Sequence, residues 1–132
     1  MGILKRILGI CETKPPANRG CWDFKDGIIQ IDLSLVPELA KPGGAIRLEG
    51  REVPERVLVL HGTDGRFYAY RNRCLHMGRR IDPIPGGSEI RCCSVSKATY
   101  DYTGKVVSGP AKGPLKAFRV GMEEGKLKIF LT

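Results

Sequence analysis

Cys74-Leu-His76 places a thiol and an imidazole two positions apart, so a bent loop can turn both donors toward one centre. A second sulfur-bearing stretch follows in Cys92-Cys93-Ser-Val-Ser96-Lys97. Cysteine sulfur and histidine nitrogen in one bend are donors that suit a metal ion. Strand alternation sorts the two adjacent cysteines, since Ile90 and Cys92 share one face and Arg91 and Cys93 the other. If Ile90 faces the core, Cys92 does too, and Cys93 faces the loops. Arg71, Arg73, Arg79, Arg80, Arg91 and Lys97 lie within or beside the two stretches. A rim of one sign steers an acidic partner toward the site.

These residues resemble the Rieske iron–sulfur family. Its first loop reads Cys-x-His-x-Gly, its second Cys-x-x-His-Gly, and an aromatic-Asp pair and a Gly-Pro-Ala…Pro-Leu segment follow. Cys74-Leu-His-Met-Gly78 matches the first loop, Tyr100-Asp101 the pair, and Ser108-Gly-Pro-Ala-Lys-Gly-Pro-Leu115 the proline segment. The likeness runs over about residues 27 to 131. The second loop departs from the pattern: counted from Cys93, Ser96 stands at the histidine position and Lys97 at the glycine. Counting from Cys92 instead puts Val95 at the histidine position, a poorer register.

The resemblance implies a [2Fe–2S] cluster and single-electron transfer, with Cys74 and Cys93 on one iron and His76 on the other. One ligand position is then open, with Cys92, Ser96 or a water as candidates. A thiolate is a better iron ligand than a hydroxyl. In place of an imidazole it lowers the reduction potential.

Two other readings use the same residues. Cys74, His76, Cys93 and Cys92 form a possible tetrahedral zinc set in a non-redox binding module, which could equally hold no metal. Alternatively, Cys92 or Cys93 acts as a reactive thiol whose pKa is depressed by Arg91 and Lys97. With two histidines and no room for a separate catalytic iron domain, an electron carrier or accessory protein is expected rather than a self-sufficient catalyst. The expected partner is an acidic redox protein. Nucleic acid is not expected, because the aromatic residues are not interleaved with the basic ones. Cys11 and Cys21 read as small buried hydrophobes, His61 as a strand-end surface residue, and Trp22, Tyr68 and Tyr70 as core or sheet-face residues.

The elements that must hold the loops are short strands bounded by Gly or Pro. They are expected at residues 27–33, 45–49, 56–61, 67–71, 89–92, 98–102, 105–108, 116–120 and 126–131, with residues 74–85 and 93–98 as loops. This pattern predicts an all-β, Rieske-like antiparallel sandwich or small barrel with both cluster-binding loops at one end. Residues 1–26 read as a leader, opening with a candidate amphipathic helix, and 27–132 as the domain.

With 132 residues and 42% hydrophobic content the chain can bury one core without disulfides, which excludes disorder. Lys and Arg outnumber Asp and Glu by 22 to 14, for a net charge of +8. No apolar run approaches the ~18–20 residues of a membrane span. Five cysteines without a recognisable secretory signal suggest a reducing, cytoplasmic setting in which thiols serve metals or packing.

Overall fold

The computed structural model describes residues 11–75, 78–93 and 98–131. The candidate N-terminal helix, His76 and Ser96 therefore lie outside the described residues. Eleven strands run in order: β1 Trp22–Lys25, β2 Ile28–Asp32, β3 Ala45–Leu48, β4 Val57–His61, β5 Phe67–Arg71, β6 Ile81–Pro83, β7 Glu89–Cys92, β8 Thr99–Asp101, β9 Val106–Ser108, β10 Ala117–Glu123 and β11 Lys126–Phe130. Among the described residues the only helical pieces are three short 3-10 turns, and no helix is long and apolar enough to cross a membrane. The fold is all-β, as the spacing of short strands predicts.

The strands form a seven-stranded sheet in the order β1-β2-β11-β10-β5-β4-β3 and a four-stranded sheet in the order β6-β7-β8-β9. Every pairing is antiparallel.

The apolar run of β4 explains how the two sheets meet. Val57 and Val59 point into one core with Ile29, Ile31, Ile46, Leu48 and Ile129. Leu58 and Leu60, on the opposite face, join Tyr70, Ile81, Ile90, Tyr100 and Leu115 in a second core. Val57, Leu58, Val59 and Leu60 are all fully buried, and burying each stabilises the fold by roughly 1.5–3 kcal/mol. The small sheet thus rests on the outer face of β4 and β5, and its loops are fixed by that contact.

Two strands lie where the sequence suggested none. β1 belongs to the segment read as leader, yet Trp22 pairs with Ile31 and packs into the first core. β6 lies within the stretch read as one loop, because Pro83 at its end masks the strand pattern while Ile81 and Asp82 pair with Cys92 and Arg91. Cys21, Trp22 and Tyr70 are buried core residues, and Tyr68 packs partly buried against the second core. His61 ends β4, its ring stacked on Phe67 and its Nδ1 2.9 Å from the Leu39 carbonyl.

Candidate metal centre

The first loop leaves β5 at Asn72, which is buried and tied on both sides: its N–H donates to the Arg56 carbonyl and its Oδ1 accepts from the Ile81 N–H. The Cys74 N–H donates to the Arg79 carbonyl at 2.7 Å, and the Gly78 N–H returns to the Cys74 carbonyl at 3.0 Å. Gly78 closes this bend at φ +68°, a conformation glycine adopts without penalty. Arg56 braces it by donating to the Gly78 carbonyl.

The second loop leaves β7 at Cys93, whose N–H donates to the Arg80 carbonyl at 2.9 Å. Cys74 and Cys93 therefore hang from the carbonyls of two successive residues, Arg79 and Arg80, which brings the two loop bases together. The proline segment closes over them: the Lys112 N–H reaches the Leu75 carbonyl and Leu115 is buried in the second core. In the turn between β8 and β9, Gly104 has φ +92°, and a Cβ there would sit 2.4 Å from the Leu115 carbonyl oxygen.

All three cysteines of the two stretches are buried. Cys74 Sγ lies 3.6 Å from the Tyr100 hydroxyl, which also accepts the Leu75 N–H at 3.2 Å. Burial, reinforced by the contacts with Cys74 and Cys92, holds the Tyr100 phenol well above its ordinary pKa. It stays a neutral hydrogen-bonding group beside the Cys74 sulfur. Cys92 shares the second core with Ile90, Cys74 and Tyr100, following the parity that strand alternation dictates.

Cys93 is not a free thiol. It forms a disulfide with Cys11, 82 residues away in sequence. Two expectations are corrected here. Cys11 is not a buried hydrophobe but a half-buried bonding partner, and not every cysteine serves packing or metal. Asp82 on β6 holds the residues that follow Cys11: its two carboxylate oxygens accept the Glu12 N–H at 2.6 Å and the Thr13 N–H at 3.1 Å. β3 adds a third tie through the Arg47 N–H and the Lys14 carbonyl. These bonds carry the N-terminal segment across the small sheet and set Cys11 against Cys93. Among the described residues, Cys11 Sγ, Cys93 Sγ and an Asp82 oxygen all lie within 4.8 Å of one another. No local signal in the sequence announces this pairing.

The cationic rim is thinner than the count of basic residues suggests. Arg80 makes a two-pronged contact with Glu49, at 2.7 and 2.8 Å, and Arg71 is paired with Glu55. The Arg80 guanidinium holds the Glu49 carboxyl below its ordinary pKa, against the opposing effect of partial burial. Burial, with Arg80, Arg73 and Arg47 nearby, pulls Arg56 down. Lys97 lies outside the described residues.

Comparison with known proteins follows the same outline. The family model described as Rieske [2Fe–2S] domain matches residues 36–119. The cytochrome b6-f complex iron-sulfur subunit of Chlorobaculum tepidum is 30% identical over 102 residues, covering 76% of this chain and 54% of that protein. The chain thus spans about half the length of this curated relative. Among solved structures, the ferredoxin of carbazole 1,9a-dioxygenase from Nocardioides aromaticivorans superposes with a TM-score of 0.58 at 21% identity, covering 70% of this chain and 88% of that one. The plasma membrane Rieske protein of Synechocystis PCC 6803 gives a TM-score of 0.54 at 21% identity over 64% of this chain and 84% of that one. At such identities these structures speak for the fold alone.

Proposed function

Because this chain belongs to the Rieske [2Fe–2S] domain family, we propose that it is a one-electron carrier whose cluster is held by an altered ligand set. The observation that supports this reading is the anchoring of Cys74 and Cys93 to the adjacent carbonyls of Arg79 and Arg80. The Cys93 bond continues the β6–β7 ladder by one pair and the Cys74 bond turns the first loop onto the neighbouring carbonyl, so both loop bases are held at one end of the small sheet.

In kind, the donors suit the group, since Cys74, Cys92 and Cys93 are buried sulfur-bearing side chains at the bases of the two loops; among the described residues the donor atoms within 4.8 Å of one another are those of Cys11, Cys93 and Asp82. In number they suit it only when Cys93 is released from Cys11, because a ligating sulfur must be a thiolate. In this reading Cys74, Cys93 and His76 are ligands carried over from the family pattern. Cys92 is the substitute in this reading for the histidine replaced by Ser96, since it shares the second core with Cys74 and Tyr100; it leaves β7 on the face opposite Cys93, so the chain has to turn at Cys93 for both to serve one centre. When bound, a [2Fe–2S] cluster supplies a couple that gains and loses one electron. Tyr100 donates its O–H toward the Cys74 sulfur and so favours the form with more charge on that sulfur. Ala111 and Leu115 on the proline segment shield the same side from water.

The partner in this reading is an acidic redox protein, drawn by the net charge of +8. A cytoplasmic setting, where thiols are kept reduced, suits a sulfur-ligated centre.

The deciding experiment is metal and labile-sulfide analysis, with a visible absorption spectrum, on protein purified without oxygen after dithiol reduction. Iron and sulfide in equal amounts in a brown protein is the expected result. One zinc per chain, or a colourless metal-free protein, refutes it.

A further inference from the structure

Cys11 and Cys93 are joined by a disulfide where the second loop leaves β7. The sulfur of Cys93 has two uses that exclude each other: it can be bonded to Cys11, or it can be a thiolate ligand. The pairing is not incidental to a floppy end. Asp82 holds the residues that follow Cys11 through two N–H bonds, and Arg47 holds Lys14 through a third. The Cα atoms of the two cysteines stand 5.4 Å apart, within the range a disulfide spans without moving the backbone.

We infer that Cys11 and Cys93 are a reversible dithiol–disulfide couple that withholds Cys93 from metal when oxidised and releases it when reduced. What Cys93 then ligates rests on the electron-carrier reading above; the couple itself does not.

The chemistry is thiol–disulfide exchange with a dithiol reductant. Cys11 is half-buried and Cys93 fully buried, so one thiolate of the dithiol attacks Cys11 Sγ and Cys93 leaves as the thiolate. The second thiolate of the dithiol then displaces Cys11. The protein S–S bond breaks, the S–S bond of the dithiol forms, and two electrons and two protons pass to Cys11 and Cys93. Reoxidation by a small disulfide runs the same steps backward. The tether matters for this return: with Glu12 and Thr13 held on Asp82, the Cys11 thiol stays beside Cys93 instead of being diluted into solvent.

The test has two readouts on the full chain. In the first, wild type exposed to air is denatured and alkylated before and after dithiothreitol, and the peptides are mapped by mass. The expected result is alkylation of Cys21, Cys74 and Cys92 only, with Cys11 and Cys93 added after reduction. Alkylation of all five cysteines without reductant overturns the inference.

In the second, oxidised wild type, reduced and desalted wild type, and air-exposed Cys11→Ser are each given ferrous iron and stoichiometric sulfide under nitrogen. Reduced wild type and Cys11→Ser should each take up at least about tenfold more iron than oxidised wild type. Equal uptake by all three, with iron bound, overturns the gate but leaves the electron-carrier reading standing. No iron in any of the three overturns both the gate and that reading.

Discussion

Replacing Tyr100 by phenylalanine removes one oxygen from a buried position where it does two things. It accepts the Leu75 N–H at 3.2 Å and lies 3.6 Å from the Cys74 sulfur. The ring itself, fully buried in the second core, is retained. An N–H left without a partner in such a place costs about 1–3 kcal/mol, while the weaker contact to sulfur contributes a fraction of that. Relief from burying a polar oxygen offsets part of the loss, so the expected destabilisation is about 2 kcal/mol. That is roughly a thirtyfold change in the folded-to-unfolded ratio.

Urea unfolding of the metal-free disulfide form measures it. With a slope of about 2 kcal/mol per molar, the midpoint should fall by about 1 M with the slope unchanged. A double-mutant cycle with Cys74→Ala separates the two contacts, and a coupling of about 0.5–1 kcal/mol is expected. A midpoint shift below about 0.2 M, or no coupling, would refute the assignment of Tyr100 as the group that positions Cys74.

Three further outcomes are expected. The Glu49 carboxyl has a folded pKa below its ordinary 4.5, so its contribution to stability is present above 4.5 and is lost as pH falls through the lower, folded value. Unfolding followed from pH 6 downward should therefore weaken more steeply in wild type than in Glu49→Gln, and parallel curves would show the Arg80 contact to be idle. Asp82→Ala frees the Glu12 and Thr13 amides, so the Cys11–Cys93 bond should become easier to reduce. A shift of about tenfold in the thiol–disulfide equilibrium corresponds to about 1.4 kcal/mol of lost tethering, and an unchanged equilibrium would show that the segment is placed by something else. Cys74→Ala should abolish iron uptake by reduced protein while Ser96→Ala leaves it unchanged, as read by iron analysis; retained iron in Cys74→Ala would move the centre elsewhere.

Where the sequence is legible, the reason is local. The β4 run Val57-Leu-Val-Leu60 reads as a strand because β-branched and apolar residues follow one another, and the turn Gly62-Thr-Asp-Gly65 marks the hairpin to β5. The first-loop box and the proline segment stand out because their glycines and prolines are needed where the backbone turns, as at Gly78 and Gly109. The parity of Ile90 and Cys92 also follows from strand geometry alone, and both lie in the second core.

What escapes is non-local. Trp22-Asp-Phe-Lys25 alternates as a strand should, but follows a proline-rich stretch that reads as leader; its place is set by β2, across a tight turn. The segment that carries Cys11 to Cys93 is held by Asp82, which lies in the 74–85 stretch expected to be a loop. Nothing near Cys11 encodes a partner 82 residues away. The cationic rim is overstated by counting, since Glu49 and Glu55 are not in the loops whose arginines they neutralise.

The double-sided burial of β4 has a consequence for handling the polypeptide. Until both sheets have closed on it, Val57-Leu-Val-Leu60 offers a bare, uncharged ribbon edge able to recruit its copies from other molecules. Glu55 and Arg56 before it and the turn at Gly62 after it confine that hazard to a very short span, the arrangement expected of gatekeeping charges. Precipitation during refolding should therefore follow how long the small sheet takes to dock.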